Sequence, residues 1–298
     1  MRNSLVQLIK NTLLFQFSLP NGELEKTIYS THDDHCYFVD GQDNFVKLIY
    51  NSLIEYSFSS KELEDDKDYN KLLPIAIHSR FHFDEDAKNK TKISYGFYGE
   101  VVLYSLLKVI YGVNALVSRG FFYNPTERAE TKGYDAYHII ASNNQLDLWF
   151  GEAKFYQKFD KAIKSVMDNF EKALSDKYLN INLWAIIKQE DKLENPPIAL
   201  ENLLEDIKEN PEIKINELVN KHNMTLVYPI LIICNNPEKE YRRCIQKLVE
   251  EIKFKYANKT ISLSIPYKIF FIFMPVDDVK TIKEKVIECI EMRSPLLT

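Results

Sequence analysis

From residue 95 onward the apolar positions fall into runs whose period changes from segment to segment. Tyr95 to Tyr111 is helix-length and apolar almost all round, the pattern of a helix buried on every side. Ala115 to Phe122 reads as a strand. Tyr134 to Ala141 and Leu146 to Phe155 alternate with period two, as half-buried strands do. A Lys-rich amphipathic helix is expected from about Gln157 to Lys177, and Leu183 to Ile187 has the length of a further short strand. Residues 190–223, with Asn195-Pro196-Pro197 and a run of Leu and Glu, predict a loop and a small helical insertion. Thr225 to Cys234 and Lys268 to Pro275 are apolar runs bounded by turn residues, as expected of strands buried on both faces. Pro229 conflicts with that place, because proline has no ladder donor and belongs at an edge or bulge. Helices over Glu238 to Tyr256 and Asp277 to Glu291 complete the series.

The order helix, three strands, helix, then alternating strands and helices predicts an α/β domain with a mixed β-sheet flanked by helices over residues 91–298. A chain of 298 residues has room for about two domains. Residues 1–90 are mixed: an amphipathic opening, the loop Leu19-Pro20-Asn21-Gly22, a helical stretch near Asp43 to Phe58 and the acidic Lys61 to Asp68. This N-terminal region is assigned no fold and is kept open as a partner-binding region.

The chemistry concentrates on the two alternating strands. Ser142-Asn143-Asn144-Gln145 joins them, and asparagine tolerates the positive φ that two-residue hairpin turns demand. With Asn143 and Asn144 as the loop, Ile139 faces Leu148, Tyr137 faces Phe150 and Asp135 faces Glu152. One side of the ribbon is then apolar and ends in two carboxylates, with Lys154 two residues beyond Glu152 on the same face. Like charges directly opposed destabilise a sheet, and desolvation at the end of an apolar face raises that cost. A divalent cation would reverse the sign; an exposed strand end with solvated charges is the competing reading. Glu100 is the sole acid between Asp86 and Glu127, set in YGFYGEVVLYSLLKVIYG. A lone acid in a buried helix needs a partner, which is either a metal or a hydrogen-bond donor such as Tyr98 or Tyr104. Gly96 and Gly99 before it would let the helix approach the sheet closely.

Glu100, Asp135, Glu152 and Lys154, in the order helix, strand, strand, strand, resemble the PD-(D/E)XK nuclease superfamily and its restriction-endonuclease-like core. Tyr134 stands where a proline often precedes the strand aspartate. The longer phrases KGYDAYHII and LWFGEAKFY, with YGFYGE upstream, resemble HamA, the nuclease-subunit family of the Hachiman anti-phage system, and its relative AbpA from the Abp defence pair. The likeness is strongest over residues 95–156. It implies a DNA endonuclease of bacterial defence that works with, and is restrained by, a superfamily 2 helicase, HamB in the Hachiman case. It also implies Glu100, Asp135, Glu152 and Lys154 as catalytic residues. Three acids offering oxygen alone suit Mg²⁺ or Mn²⁺, and the lysine can position a water for attack on a phosphodiester. Lys158, Lys161 and Lys164 recur every third residue and are the expected DNA-binding stripe, against the plainer reading of a solvated helix face.

Charge and composition narrow the rest. Lys plus Arg number 38 against 43 acids, a net −5, so attraction to DNA must come from a local basic surface or a partner. The apolar runs fall short of the roughly 20 residues of a membrane-spanning helix, and Gln7, Lys10 and Asn11 interrupt any signal-peptide stretch. Cys36, Cys234, Cys244 and Cys289 form no disulfide-like spacing, which favours a reducing, cytoplasmic setting without a membrane. His32, Asp33, Asp34, His35 and Cys36 read as a polar turn rather than a zinc site, and His78 with His82 likewise lacks further ligands. No Walker A, GxGxxG or GxSxG motif is present, so any ATP use would belong to a partner. Two rival functions remain: a catalytically silent nuclease-like module that docks onto a helicase or DNA, and a metal-dependent RNase.

Overall fold

In the computed structural model the period-two segments do pair, and they place a seven-stranded mixed sheet at the centre of the chain. The structure describes residues 1–19, 34–65, 68–124, 129–130, 133–142, 145–193, 195–238, 240–256 and 259–297. The described strands are β1 (Leu13–Leu19), β2 (Asp34–Val39), β3 (Asn114–Ala115), β4 (Tyr123–Asn124), β5 (Ala129–Glu130), β6 (Ala136–Ser142), β7 (Gln145–Tyr156), β8 (Met224–Asn235) and β9 (Tyr267–Val276). The helices are α1 (Asn3–Thr12), α2 (Gln42–Ser57), α3 (Ser60–Asp65), α4 (Tyr69–Ser79), α5 (Asn89–Ile93), α6 (Phe97–Val109), α7 (Phe159–Ala173), α8 (Asp176–Ile187), α9 (Ile198–Glu209), α10 (Ile215–His222), α11 (Tyr241–Tyr256) and α12 (Val279–Glu291).

The sheet order is β1-β2-β9-β8-β7-β6-β3, with β4 and β5 as a separate small ribbon. The strands β2, β9, β8 and β7 run parallel, while β1, β6 and β3 join antiparallel. This is the α/β architecture with a mixed sheet flanked by helices that the pattern predicts. Residues before 90 supply β1, β2 and the long helix α2, so that region shares the sheet with the rest of the chain.

Alternation along each strand divides the core in two. Trp149, Ala153 and Phe155 of β7, with Val227 and Leu231 of β8 and Phe270 and Ile272 of β9, pack with α1, α2, α6 and α12 on one face. Leu146, Leu148 and Phe150, with Tyr228, Ile230, Phe271 and Phe273, pack with α7 to α11 on the other.

Several local expectations are corrected. Pro229 sits inside the central strand β8 and not at an edge. It is tolerated because its neighbour on β7 is Gly151, where a Cβ would stand 2.9 Å from the Pro229 ring, and pairing between the strands is interrupted there. The strand expected over Ala115 to Phe122 stops at Ala115, and Arg119–Phe122 is a 3-10 turn. Gly120 allows that turn to press against α2: a Cβ there would lie 2.3 Å from the Ser57 carbonyl oxygen. Leu183 to Ile187 lies in helix α8, whose first turn Ser175 caps by accepting from the Tyr178 amide; Leu179, Leu183 and Ile186 then fall on one buried face. The helix expected to reach Lys177 stops at Ala173, where α7 ends, and α8 begins anew after Ser175. Asp34, His35 and Cys36 belong to β2 and not to a turn; the buried Asp34 carboxylate accepts from the Phe271 amide. Pro20 to Gly22, His32, Asp33 and the loop residues Asn143 and Asn144 lie outside the described residues.

His138 on β6 is 1% exposed and shares a 3.0 Å hydrogen bond with the Val113 carbonyl oxygen through Nδ1, while Nε2 has no hydrogen-bond partner among the described residues. Burial lowers its pKa to about 4. The folded state therefore prefers the neutral ring, and stability present above pH about 6.5 is lost as pH falls toward 4. The loss attributable to this ring is about 3 kcal/mol. Urea unfolding at neutral and acid pH should show a smaller acid loss in His138→Leu than in the wild type; equal losses would show that the ring does not carry the effect.

Candidate active site

The site forms where β6 parts from β7. The observed ladder has the expected register, from Ser142 opposite Gln145 through Tyr137 opposite Phe150 to Ala136 opposite Gly151, where it ends. One residue before that end, the Asp135 amide donates to the Gly151 carbonyl oxygen at 2.9 Å, and its carboxylate Oδ2 accepts from the Ala153 amide at 2.8 Å. The side chain thus supplies the acceptor that the departing strand no longer offers, since a strand amide left unpaired in the interior is costly. Glu152 is spanned by this double contact.

Glu152 and Lys154, two residues apart on one face of β7, form an ion pair of 2.5 Å with side chains 13% and 15% exposed. Tyr228 of the adjacent strand donates to the other Glu152 oxygen at 2.7 Å. Burial alone would lower the Lys154 pKa, but the charges of Asp135 and Glu152 outweigh it and raise it, so the side chain is a held ammonium. Glu100 reaches the cluster from the first turn of α6. Gly99 makes the approach possible, because a Cβ there would already lie 3.2 Å from the Ala153 Cβ. Tyr56 on α2 donates to Glu100 Oε2 at 2.6 Å, and the Arg119 guanidinium stands 3.5 Å from the same oxygen. Asp135 is pushed up to about 7, first by burial and then by the charge of Glu100, with Lys154 opposing the rise.

The structure brings all four expected residues together. Two cavities of about 910 and 310 Å³ border the cluster and share Glu100, Asp135 and Lys154. Lys158 and Lys161 line the larger one, whereas Lys164 is exposed and lies outside its lining. Sequence reasoning missed Tyr56, Arg119 and Tyr228, which hold the carboxylates. A glutamate between tyrosines offers no sign of which distant hydroxyl it meets, and Tyr228 is identified only by the β7–β8 register.

Among the described residues no three His, Cys, Asp or Glu already stand in a metal-binding arrangement. Glu152 is turned to Lys154 and Tyr228. The donor chemistry nevertheless fits a hard cation: Glu100 is buried, its charge raises the cost of ionising the half-buried Asp135, and Mg²⁺ commonly takes one or two carboxylates and completes its shell with water and phosphate oxygens. His78 is exposed beside Glu85, and His82 packs edge-on against Tyr95.

Fold and site together define an α/β protein whose central hairpin gathers three carboxylates and a lysine at one end. The chain belongs to the HamA family, whose model matches residues 8–290. Membership makes it a protein of anti-phage defence, of the Hachiman kind. Among curated proteins none matches the chain. No helix among the described residues is long and apolar enough to cross a membrane.

Because a cation bound by the native state alone raises stability in proportion to the logarithm of its concentration, Mn²⁺ or Mg²⁺ should raise the melting temperature by about 5 °C at roughly a hundredfold its Kd. A Glu100→Gln, Asp135→Asn double variant should melt at the same temperature with or without the metal. An undiminished shift in that variant would place the metal elsewhere.

Proposed function

We propose that this chain is a metal-dependent DNA endonuclease that acts as the effector subunit of its defence system. The observation supporting this most strongly is the convergence of Glu100, Asp135, Glu152 and Lys154 at one strand end, between two cavities with lysine walls. Asp135 and Glu100 would hold Mg²⁺ or Mn²⁺, with Glu152 turning inward when the charge arrives. A bound divalent ion supplies Lewis-acid stabilisation of the charge that develops on a phosphodiester. The Lys154 ammonium donates to a phosphate oxygen or orients the attacking water, and its ion pair with Glu152 fixes where it points. Tyr56 holds Glu100 in place, and Tyr228 holds Glu152 until the cation draws it inward.

A net charge of −5 with a few lysines at the site suits a subunit that receives DNA from a partner. In this reading the partner is a superfamily 2 helicase of the HamB kind, which restrains cutting until DNA is engaged. The rival reading, a silent module that only docks, draws on the engagement of Glu152 by Lys154 and on the lack of a three-acid metal arrangement among the described residues.

The variants Lys154→Met, Glu152→Gln and Asp135→Asn decide between them. Each should lower cleavage of DNA by the complex of chain and helicase by at least about a hundredfold, with folding checked by circular dichroism and helicase binding checked by co-purification. Cleavage kept by all three would sink the site assignment. A parallel assay on RNA of the same sequence tests the ribonuclease alternative.

A further inference from the structure

The larger cavity extends past the reacting groups, and its floor holds a cation that the site above does not use. Lys283 on α12 is 6% exposed. Its Nζ donates to the Ile93 carbonyl oxygen at 3.1 Å and stands 4.9 Å from the Tyr98 ring centre and 5.1 Å from that of Phe155. An ammonium has three donors, and one is engaged by Ile93. No ion pair joins Lys283 to a carboxylate among the described residues. Buried charges are ordinarily paired, because a carbonyl and two ring faces replace only part of the lost hydration. Burial accordingly lowers the Lys283 pKa to about 8.

The surroundings suit an anion that arrives as part of a strand. Lys90, Lys158, Lys161 and Lys280 line the same cavity, as does Lys154 of the reacting cluster. The acids of the lining are Glu100 and Asp135, which belong to the reacting cluster, and Glu284, which is ion-paired with Lys280 at 3.6 Å. Tyr95 and the 40% exposed Tyr156 also line it, and aromatic rings beside a basic groove are platforms on which unpaired bases stack. Glu100, Asp135 and Lys154 line both cavities, so the reacting cluster borders this one directly.

We propose that the cavity walled by α5, α12 and the start of α7 holds a single-stranded nucleic-acid segment on one side of the scissile phosphate, with Lys283 taking a phosphate at its floor. A duplex carries its phosphates on the outside of a rigid rod and meets the wall lysines, not a residue this deeply set. The word scissile rests on the nuclease reading; the binding does not.

The test uses the full chain in EDTA, so that no strand is cut, with a short fluorescein-labelled oligothymidylate and a duplex of equal length, read by anisotropy at two salt concentrations. The single strand should bind more tightly than the duplex. Lys283→Met, which keeps the length of the side chain, should weaken binding about tenfold and flatten the salt dependence by about 0.7 in the log–log slope, one phosphate contact fewer. Its melting temperature should be unchanged or higher, because a charge without an anion has been removed. Should that variant fail to fold, Lys280→Glu on the exposed rim should weaken strand binding instead. Unchanged binding in the variant that folds, or a duplex bound as tightly as the strand, overturns the proposal. Strand binding that depends on Lys283 but no cleavage in any divalent metal defeats the nuclease reading alone; metal-dependent cleavage with binding indifferent to Lys283 defeats this inference alone.

Discussion

A half-buried aspartate ties down the end of the central hairpin. Asp135 reaches past the last ladder pair to accept from the Ala153 amide, while its own amide keeps the Gly151 carbonyl oxygen bonded. That arrangement satisfies β7 after β6 has left it, and it leaves a carboxylate where burial and the charge of Glu100 both oppose ionisation. Lys154 offsets part of that cost, and the Arg119 guanidinium stands 3.5 Å from the Glu100 carboxylate. Three carboxylates against two cations remain electrostatically short of balance, which is why an added cation is the expected complement.

The site also draws on chain segments far apart in sequence. Gly99 lets α6 come down onto β7, and Gly151 lets Pro229 occupy a central strand. Tyr56 holds Glu100 from α2, in the region for which the pattern of residues assigned no fold. Removing that region would therefore strip one hydrogen bond from the reacting cluster, as well as two strands from the sheet.

What was legible in sequence follows from which interactions are local. The hairpin register could be read because period two and a two-residue loop leave one consistent pairing, so Asp135 and Glu152 fell at the same strand end. The apolar runs of β8 and β9 and the buried helix around Glu100 were legible for the same reason. Leu183 to Ile187 was misread because a short apolar run has no period of its own, and the cap that makes it helical lies eight residues earlier at Ser175. Arg119, Tyr228 and Lys283 left no sign, since each acquires its role from a neighbour brought close only by tertiary packing.

The account stands or falls on whether this charged cluster hydrolyses phosphodiesters. The direct measurement is incubation of supercoiled plasmid with the purified chain and its helicase partner in ATP, with Mg²⁺ or with EDTA. The account predicts nicked and linear products in Mg²⁺ and intact plasmid in EDTA. Intact plasmid in both Mg²⁺ and Mn²⁺, from a complex shown to bind DNA, would contradict it and leave the chain a docking module.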